Sequence, residues 1–290
     1  MRRSLRRRGS VVARLLAAVG ALVGSACTGT PSPLTPSIHG SVGVPHEGMI
    51  TNAVPLPKRG EGYALLRNNS RNWGHPRLVQ AIESAARSVA RARPGGAKLM
   101  SGDMSARWGG EATGHHSHRT GRDADLLIYV LTPEGRSIAS PGFVRFGPDG
   151  LGEAEKGKFV RIDLEREWQL VKALVTSREA NVQWLFFARW LEALVIEYAR
   201  ARGEDEELLW YAESVLLQPG DSTPHDDHLH FRIACLPDEA VAGCLGGGPY
   251  WPWLPSLPQL VSPPDPELAS AIIGDLLPTS ARQAPAEVSP

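Results

Sequence analysis

The stretch His225-Asp226-Asp227-His228-Leu229-His230-Phe231-Arg232-Ile233 restricts the fold more than any other part of the chain. Three histidines and two carboxylates sit directly against apolar, strand-forming residues. In an extended strand, side chains two apart point to the same face, so His228 and His230 stand side by side while Leu229 and Phe231 turn to a core. The pattern calls for a polar, active edge built on a sheet. Two imidazoles held this way can bind one metal together, or one can bind while the other works on water at the metal.

A zinc ion normally takes at least three protein ligands and, for catalysis, keeps a position open for water. One strand is therefore not enough. The second contributor lies upstream, in Gly114-His115-His116-Ser117-His118-Arg119-Thr120-Gly121-Arg122-Asp123-Ala124-Asp125, ahead of the apolar run Leu126-Leu127-Ile128-Tyr129-Val130. His118 falls in a glycine-flanked loop and Asp125 at the start of a predicted strand. The glycines let the loop turn back sharply enough for the two side chains to converge. Other chemistries lack their parts: the sequence holds no Gly-x4-Gly-Lys-Ser/Thr phosphate loop, no Gly-x-Ser-x-Gly elbow and no His-Glu-x-x-His.

Together the two stretches resemble the penicillin-insensitive murein endopeptidases, zinc enzymes that cut peptide cross-links in bacterial cell walls. That family is similar in turn to lysostaphin-type and D-Ala-D-Ala metallopeptidases, which share a His and an Asp seven residues apart and a later His-x-His. The resemblance extends to Trp73-Gly74-His75-Pro76, to Ser101-Gly102-Asp103-Met104, and to the segment from Asp163 through Leu174 ahead of Asn181-Val182-Gln183-Trp184, covering roughly residues 37 to 235. It implies one Zn2+ held by His118, Asp125 and His230. Two neutral imidazoles and one carboxylate leave the ion with net positive charge and a free position.

His228, on the same strand face as His230, is then the catalytic partner, acting as a base or as a hydrogen-bond donor. His225 is a second catalytic candidate on the rim, or a turn residue after Pro224. Asp123 shares a strand face with Asp125 and is placed to hydrogen-bond a ligand imidazole or to cap the loop. Asp226 and Asp227 serve likewise or form an acidic turn. His115 occupies a family-like position beside the site, and His116 does not. Asp103 matches the family pattern and is expected to hold the His118 loop. Trp73 and Trp184 read as core residues.

The implied activity is hydrolysis of D-alanyl to meso-diaminopimelyl cross-links in peptidoglycan. One alternative is a carboxypeptidase that trims terminal D-Ala with the same zinc site. The other is a catalytically silent, peptidoglycan-binding lipoprotein, although His118, Asp125, His228 and His230 are all present.

The N-terminus bears on where such chemistry takes place. Met1-Arg2-Arg3-Ser4-Leu5-Arg6-Arg7-Arg8 precedes an apolar stretch from Leu15 to Ala26, which reads as a signal peptide over residues 1–26, too short for a comfortable membrane span. Val23-Gly24-Ser25-Ala26-Cys27 permits lipoprotein processing with acylation of Cys27, although Gly24 stands where Leu is favoured. The expectation is a periplasmic protein anchored to a membrane by lipid. Cys235 and Cys244 lie close together in a loop with Pro and Gly, where a disulfide is feasible in an oxidising compartment. Six arginines precede Cys27 and no acid does, so the remainder of this formally neutral chain has six more acids than bases. That excess argues against a nucleic-acid partner.

Residues 28–57, rich in Pro, Gly, Ser and Thr, read as a tether that is partly ordered from about residue 37. Residues 58–245 form the metallopeptidase domain, and residues 246–290 a Pro-rich C-terminal tail with a short helix near Pro266 to Leu277. Within the domain, helices are predicted from Pro76, after the cap Asp163, over Trp190 to Ala201 and over Glu206 to Leu217. Strands are predicted over Ala97 to Ser101, Asp123 to Val130 and Val182 to Phe187. The order indicates a single α+β domain with a mostly antiparallel central sheet carrying the zinc site and flanked by helices. Gly142 to Gly157 is a glycine-rich insertion without an assigned role.

Overall fold

The computed structural model describes residues 39–256 apart from 221 and 247. The signal segment, Cys27 and the helix expected near Pro266 lie outside the described residues. The fold is α+β. A seven-stranded sheet runs in the order Leu216–Leu217, Val182–Phe186, His228–Ile233, Asp123–Leu127, Leu99–Ser101, Tyr63–Leu65 and Arg59–Gly60. Only the pairings of Val182–Phe186 with Leu216–Leu217 and of Tyr63–Leu65 with Leu99–Ser101 are parallel.

One face of this sheet is apolar because the strands alternate. Ala124, Leu126, Leu185, Leu229 and Phe231 are fully buried there, in one core with Leu78, Ile82, Leu170, Val171, Leu191 and Val195 from the helices. Each large side chain so buried contributes about 1.5–3 kcal/mol, which fixes the alternation and turns the histidines to the opposite face.

The helices begin where local chemistry allows. Pro76–Ala92 starts with a proline in its first turn, and His75 Nδ1 accepts from Arg77 N at 3.2 Å. Asp163 caps Leu164–Val175 by accepting from Arg166 N. The helix expected over Glu206 to Leu217 ends at Val215. Leu216 and Leu217 leave it to pair with Leu185 and Phe186, giving the sheet edge backbone partners that a longer helix would withhold.

The strand expected over Asp123 to Val130 also divides, with Val130–Leu131 joining a second, four-stranded antiparallel sheet. The Gly142 to Gly157 insertion feeds that sheet through Leu151–Glu155, which pairs with Lys158–Ile162. Gly150 and Gly157 supply its turns at positive φ. The insertion docks beside the histidine strand: Phe146 N donates to the Asp226 carbonyl at 2.9 Å, and Trp190 Nε1 donates to the Phe146 carbonyl.

The packed body takes in chain on both sides of residues 58–245. Ser41–Val44 and Glu47–Ile50 form a hairpin. Ser41 Oγ donates to the Thr120 carbonyl at 2.6 Å, and Arg119 N donates to the Pro45 carbonyl, so this hairpin braces the His118 loop. At the other end, a Cys235–Cys244 disulfide closes a short helix, Pro237–Val241. Glu239 of that helix takes Arg77 at 2.6 Å and His75 at 3.1 Å. Beyond it, Trp251 Nε1 donates to the Gln183 carbonyl and ties residues up to 256 to the sheet.

Candidate functional site

The sheet register assembles the site. His230 lies directly opposite Asp125 on one side and Phe186 on the other, and Arg232 lies opposite Asp123. Directly opposed residues share a face, so Asp125 and His230 project together from two adjacent strands. Asp125 is the hub. Its Oδ1 lies 3.1 Å from His118 Nε2, 3.3 Å from His230 Nδ1 and 3.3 Å from His228 Nε2, and its Oδ2 lies 3.7 Å from His115 Nδ1.

His118 reaches this point from its loop with φ of 67°, unusual for a residue other than glycine. Its Nδ1 faces the Met104 carbonyl at 3.1 Å. A carbonyl only accepts, so Nδ1 carries a proton and Nε2 is the atom turned toward Asp125; burial lowers the pKa of His118, but the Asp125 charge outweighs it and raises it. His230 is oriented the opposite way round, with Nε2 against Asp123 Oδ1 at 2.8 Å and Nδ1 turned inward. Asp123 Oδ1 also accepts from Arg232 Nε at 2.6 Å. Burial disfavours the charged form of Asp123, but Arg232 and then His230 outweigh it and hold this carboxyl far below the usual carboxylate range.

Fully buried polar atoms without partners are costly, and three meet here: His118 Nε2, Asp125 Oδ1 and Asp125 Oδ2 have no hydrogen-bond partner. Bonds of 2.0–2.1 Å to a tetrahedral zinc set neighbouring donor atoms about 3.3 Å apart, close to the 3.1–3.3 Å separations around Asp125 Oδ1. The donor set and spacing therefore fit a divalent cation. Among the described residues two neighbouring groups bring three candidate ligand atoms within 4.8 Å of one another, His115 with His118 and Asp125, and His225 with His228 and His230, and the set His118, Asp125 and His230 draws on both.

Exposure separates the histidines. The side chains of His118 and His230 are 1% and 6% exposed, against 17% for His228 and 21% for His115. His228 thus stands at the mouth, with Nδ1 on Asp227 Oδ1 at 2.5 Å. Burial lowers the pKa of His228, but Asp125 and Asp227 overcome it and raise the group to about 10 in the metal-free chain. His225 behaves in the opposite sense: burial, then His230 and His228, push it down to about 3. His115 leans on Asp103 at 3.3 Å, and Asp103 is held in turn by Asn69 and Arg71. Asp103 therefore supports the loop through His115 and not through His118.

Of the residues singled out in the sequence, His115, His118, Asp125, His225, His228 and His230 come together, with Asp123 behind His230. Cys235 and Cys244 lie apart from it, joined to each other. Phe143 was not foreseen. Its ring meets His228 edge-on at 5.4 Å, and a Cβ on Gly102 would lie 2.9 Å from its Cζ. The insertion thus supplies a wall of the site, a role that no motif signals. The Met104 carbonyl is equally invisible in sequence, because any residue supplies one. Trp184 is only half-buried; it stacks on Phe186 and meets Trp251 edge-on.

Fold and site define an α+β protein with a candidate His/Asp metal site on the polar face of its sheet. Residues 41–189 match the family model described as penicillin-insensitive murein endopeptidase. The chain is 29% identical over 248 residues to the penicillin-insensitive murein endopeptidase of Haemophilus influenzae, covering 78% of this chain and 79% of that one. It is 34% identical over 128 residues to the protein of that name from Klebsiella pneumoniae, covering 43% and 45%. With one from Escherichia coli it shares 36% over 92 residues, covering 31% and 33%. The chain belongs to the penicillin-insensitive murein endopeptidase family.

Proposed function

We propose that this protein is a zinc-dependent murein endopeptidase that hydrolyses D-alanyl to meso-diaminopimelyl cross-links in peptidoglycan. The observation that carries the reading is the convergence of His118 Nε2, His230 Nδ1 and Asp125 Oδ1, with the His118 and Asp125 atoms unpartnered, in a member of this family.

His118, Asp125 and His230 would hold the ion. When bound, zinc supplies Lewis acidity to the scissile carbonyl and lowers the pKa of water. The remaining work falls to side chains. Asp123 and the Met104 carbonyl fix the two ligand imidazoles in opposite tautomers. His228 Nε2 faces inward while Asp227 locks Nδ1. Asp125, the leading cause that raises His228, would be engaged by the ion, which frees Nε2 to take a proton from the attacking water, stabilised by the Asp227 charge, and to return it to the departing amine. His225 stays neutral at physiological pH, so it contributes hydrogen bonding and shape rather than charge.

The test is mass spectrometry of purified cross-linked muropeptide dimers incubated with the protein, with and without a chelator. Conversion of dimer to two monomers, stopped by chelator and restored by zinc, is expected; release of terminal alanine alone would replace the endopeptidase by a carboxypeptidase. His230→Ala should lose metal and activity together. His228→Ala should keep most of the metal yet lose roughly 10²–10⁴-fold in turnover, and a normal rate there would remove its assigned role. The proposal includes a periplasmic location with a lipid anchor at Cys27, motivated by the basic and apolar N-terminus. Loss of radiolabelled palmitate incorporation in Cys27→Ser is the expected check.

A further inference from the structure

Aromatic rings continue outward from the site without a gap. Phe186 lies 5.3 Å from His230, Trp184 lies 5.8 Å from Phe186, Trp251 lies 5.2 Å from Trp184, and Trp253 stacks on Trp251 at 5.0 Å and 5°. All four side chains are partly exposed. Trp184 and Phe186 share a face because they are two apart on one strand, and the Trp251 bond to the Gln183 carbonyl fixes the outer rings to the same strand. The row ends at a cavity of about 430 Å³ whose lining includes Trp253, Tyr211, Arg178 and Asn181.

Resting on the endopeptidase reading above, we propose that this row and its terminal cavity form a subsite for the glycan strand of peptidoglycan, holding sugar rings while the attached peptide lies over the His/Asp centre. A pyranose has an apolar C–H face that suits the electron-rich face of an aromatic ring, and hydroxyl and amide groups around its edge. The site offers both kinds of partner. The Asn181 amide is already held by the Arg178 carbonyl, so the exposed Arg178 guanidinium is the group left for the polar edge of a sugar, and a purely apolar ligand would desolvate it without compensation.

Reach agrees with the assignment. Peptide stems of about four residues span about 13 Å when extended, and two ring-to-ring steps of 5.3 and 5.8 Å lead from His230 to Trp184. The sugar that bears a stem bound at the centre therefore arrives at Trp184, beside Trp251. The cavity volume lies in the range of small-molecule sites.

The test uses the full chain and two substrates. Binding of a β-1,4-linked N-acetylglucosamine tetramer, followed by tryptophan fluorescence, should be saturable in the wild type. Trp251→Ala and Trp184→Leu should each weaken it at least tenfold, Trp251→Phe should recover most of the affinity, and Phe159→Ser on the second sheet should change nothing. On intact sacculi the two weakened variants should show a KM at least fivefold higher. On cross-linked peptide dimers freed of sugar, kcat/KM should stay within twofold. Absence of saturable tetramer binding in a wild type that cleaves the sugar-free dimer overturns the subsite and leaves the endopeptidase standing. Equal losses on both substrates overturn it too, since the tryptophans would then act on the reaction centre itself. Tetramer binding that depends on Trp251, in a chain that cleaves neither substrate, upholds the sugar site and removes the endopeptidase.

Discussion

Asp123 offers the sharpest test of how the centre is built, because one buried oxygen serves two partners. Asp123 is fully buried, and its Oδ1 accepts from Arg232 Nε at 2.6 Å and meets His230 Nε2 at 2.8 Å. Asp123→Ala removes both contacts and leaves Arg232, 8% exposed, as a buried cation without its carboxylate. Breaking such a pair from one side costs about 3–5 kcal/mol. In a domain of this size that corresponds to a melting point lower by about 6–20 °C. The second loss falls on the ligand. Without Asp123, His230 has nothing to hold its tautomer, and removing such a partner lowers metal affinity about 10–100-fold.

The two losses are separable. Combining Asp123→Ala with Arg232→Met deletes both members of the pair, so most of the stability returns, whereas His230 still lacks its partner and zinc affinity stays low. Melting in excess chelator measures the first effect, and competition against a chromophoric chelator measures the second. If Asp123→Ala bound zinc within twofold of the parent, or if the double variant recovered affinity together with stability, the orienting role of Asp123 would be refuted.

Glu167 and Glu239 carry the remaining predictions. Glu167 is fully buried with Tyr129 N on Oε2 and nothing on Oε1, and burial raises it to about 8. Its protonated form therefore stabilises the fold below the ordinary glutamate pKa, and that stability is lost as pH rises from about 4.5 to about 8. Glu167→Gln should flatten this part of the stability profile and gain on the order of 2–4 kcal/mol at pH 9 relative to pH 4, read from urea midpoints; an unchanged profile would place the pH dependence elsewhere. Glu239 has the opposite sign. Burial opposes its ionisation, but His75 and Arg77 hold it at about 2, so its stability is present above the ordinary pKa and disappears as pH falls toward 2. Glu239→Gln should cost about 2 kcal/mol at pH 7 and almost nothing near pH 2, with equal losses at both pH values counting against the pair.

Much of this was legible because short-range rules sufficed. Alternation in His228–Ile233 separates the imidazoles from Leu229 and Phe231, and Pro76 and the cap Asp163 start their helices where local backbone chemistry demands. What stayed hidden depends on long-range packing. Nothing in Gly142 to Gly157 says that Phe143 will meet His228, because the insertion is aimed by a backbone bond from Phe146 to Asp226. The helix from Glu206 gives up Leu216 and Leu217 to a strand 31 residues upstream, a competition between helix and sheet edge that local propensity cannot weigh. The tryptophans near the C-terminus follow the same logic: Pro and Gly around Trp251 suggest a loose tail, yet one indole hydrogen bond to Gln183 anchors it.

The centre itself rests on a register that no single motif contains. His230 must face Asp125 across one pair of strands, and Arg232 must face Asp123 two residues on. A slip of one residue would bring Leu229 opposite Asp125 and turn His228 and His230 toward the helices. That slip would expose Leu229 and Phe231, each worth about 1.5–3 kcal/mol when buried, while burying His228 and His230 without partners. The apolar face thus enforces the geometry of the polar one. Because the penalty is shared among several core residues, substituting a proposed ligand such as His230 should remove metal without shifting the strands. Shortening Phe231 to Ala should do the reverse, loosening the register and lowering zinc affinity at a residue that never touches the ion.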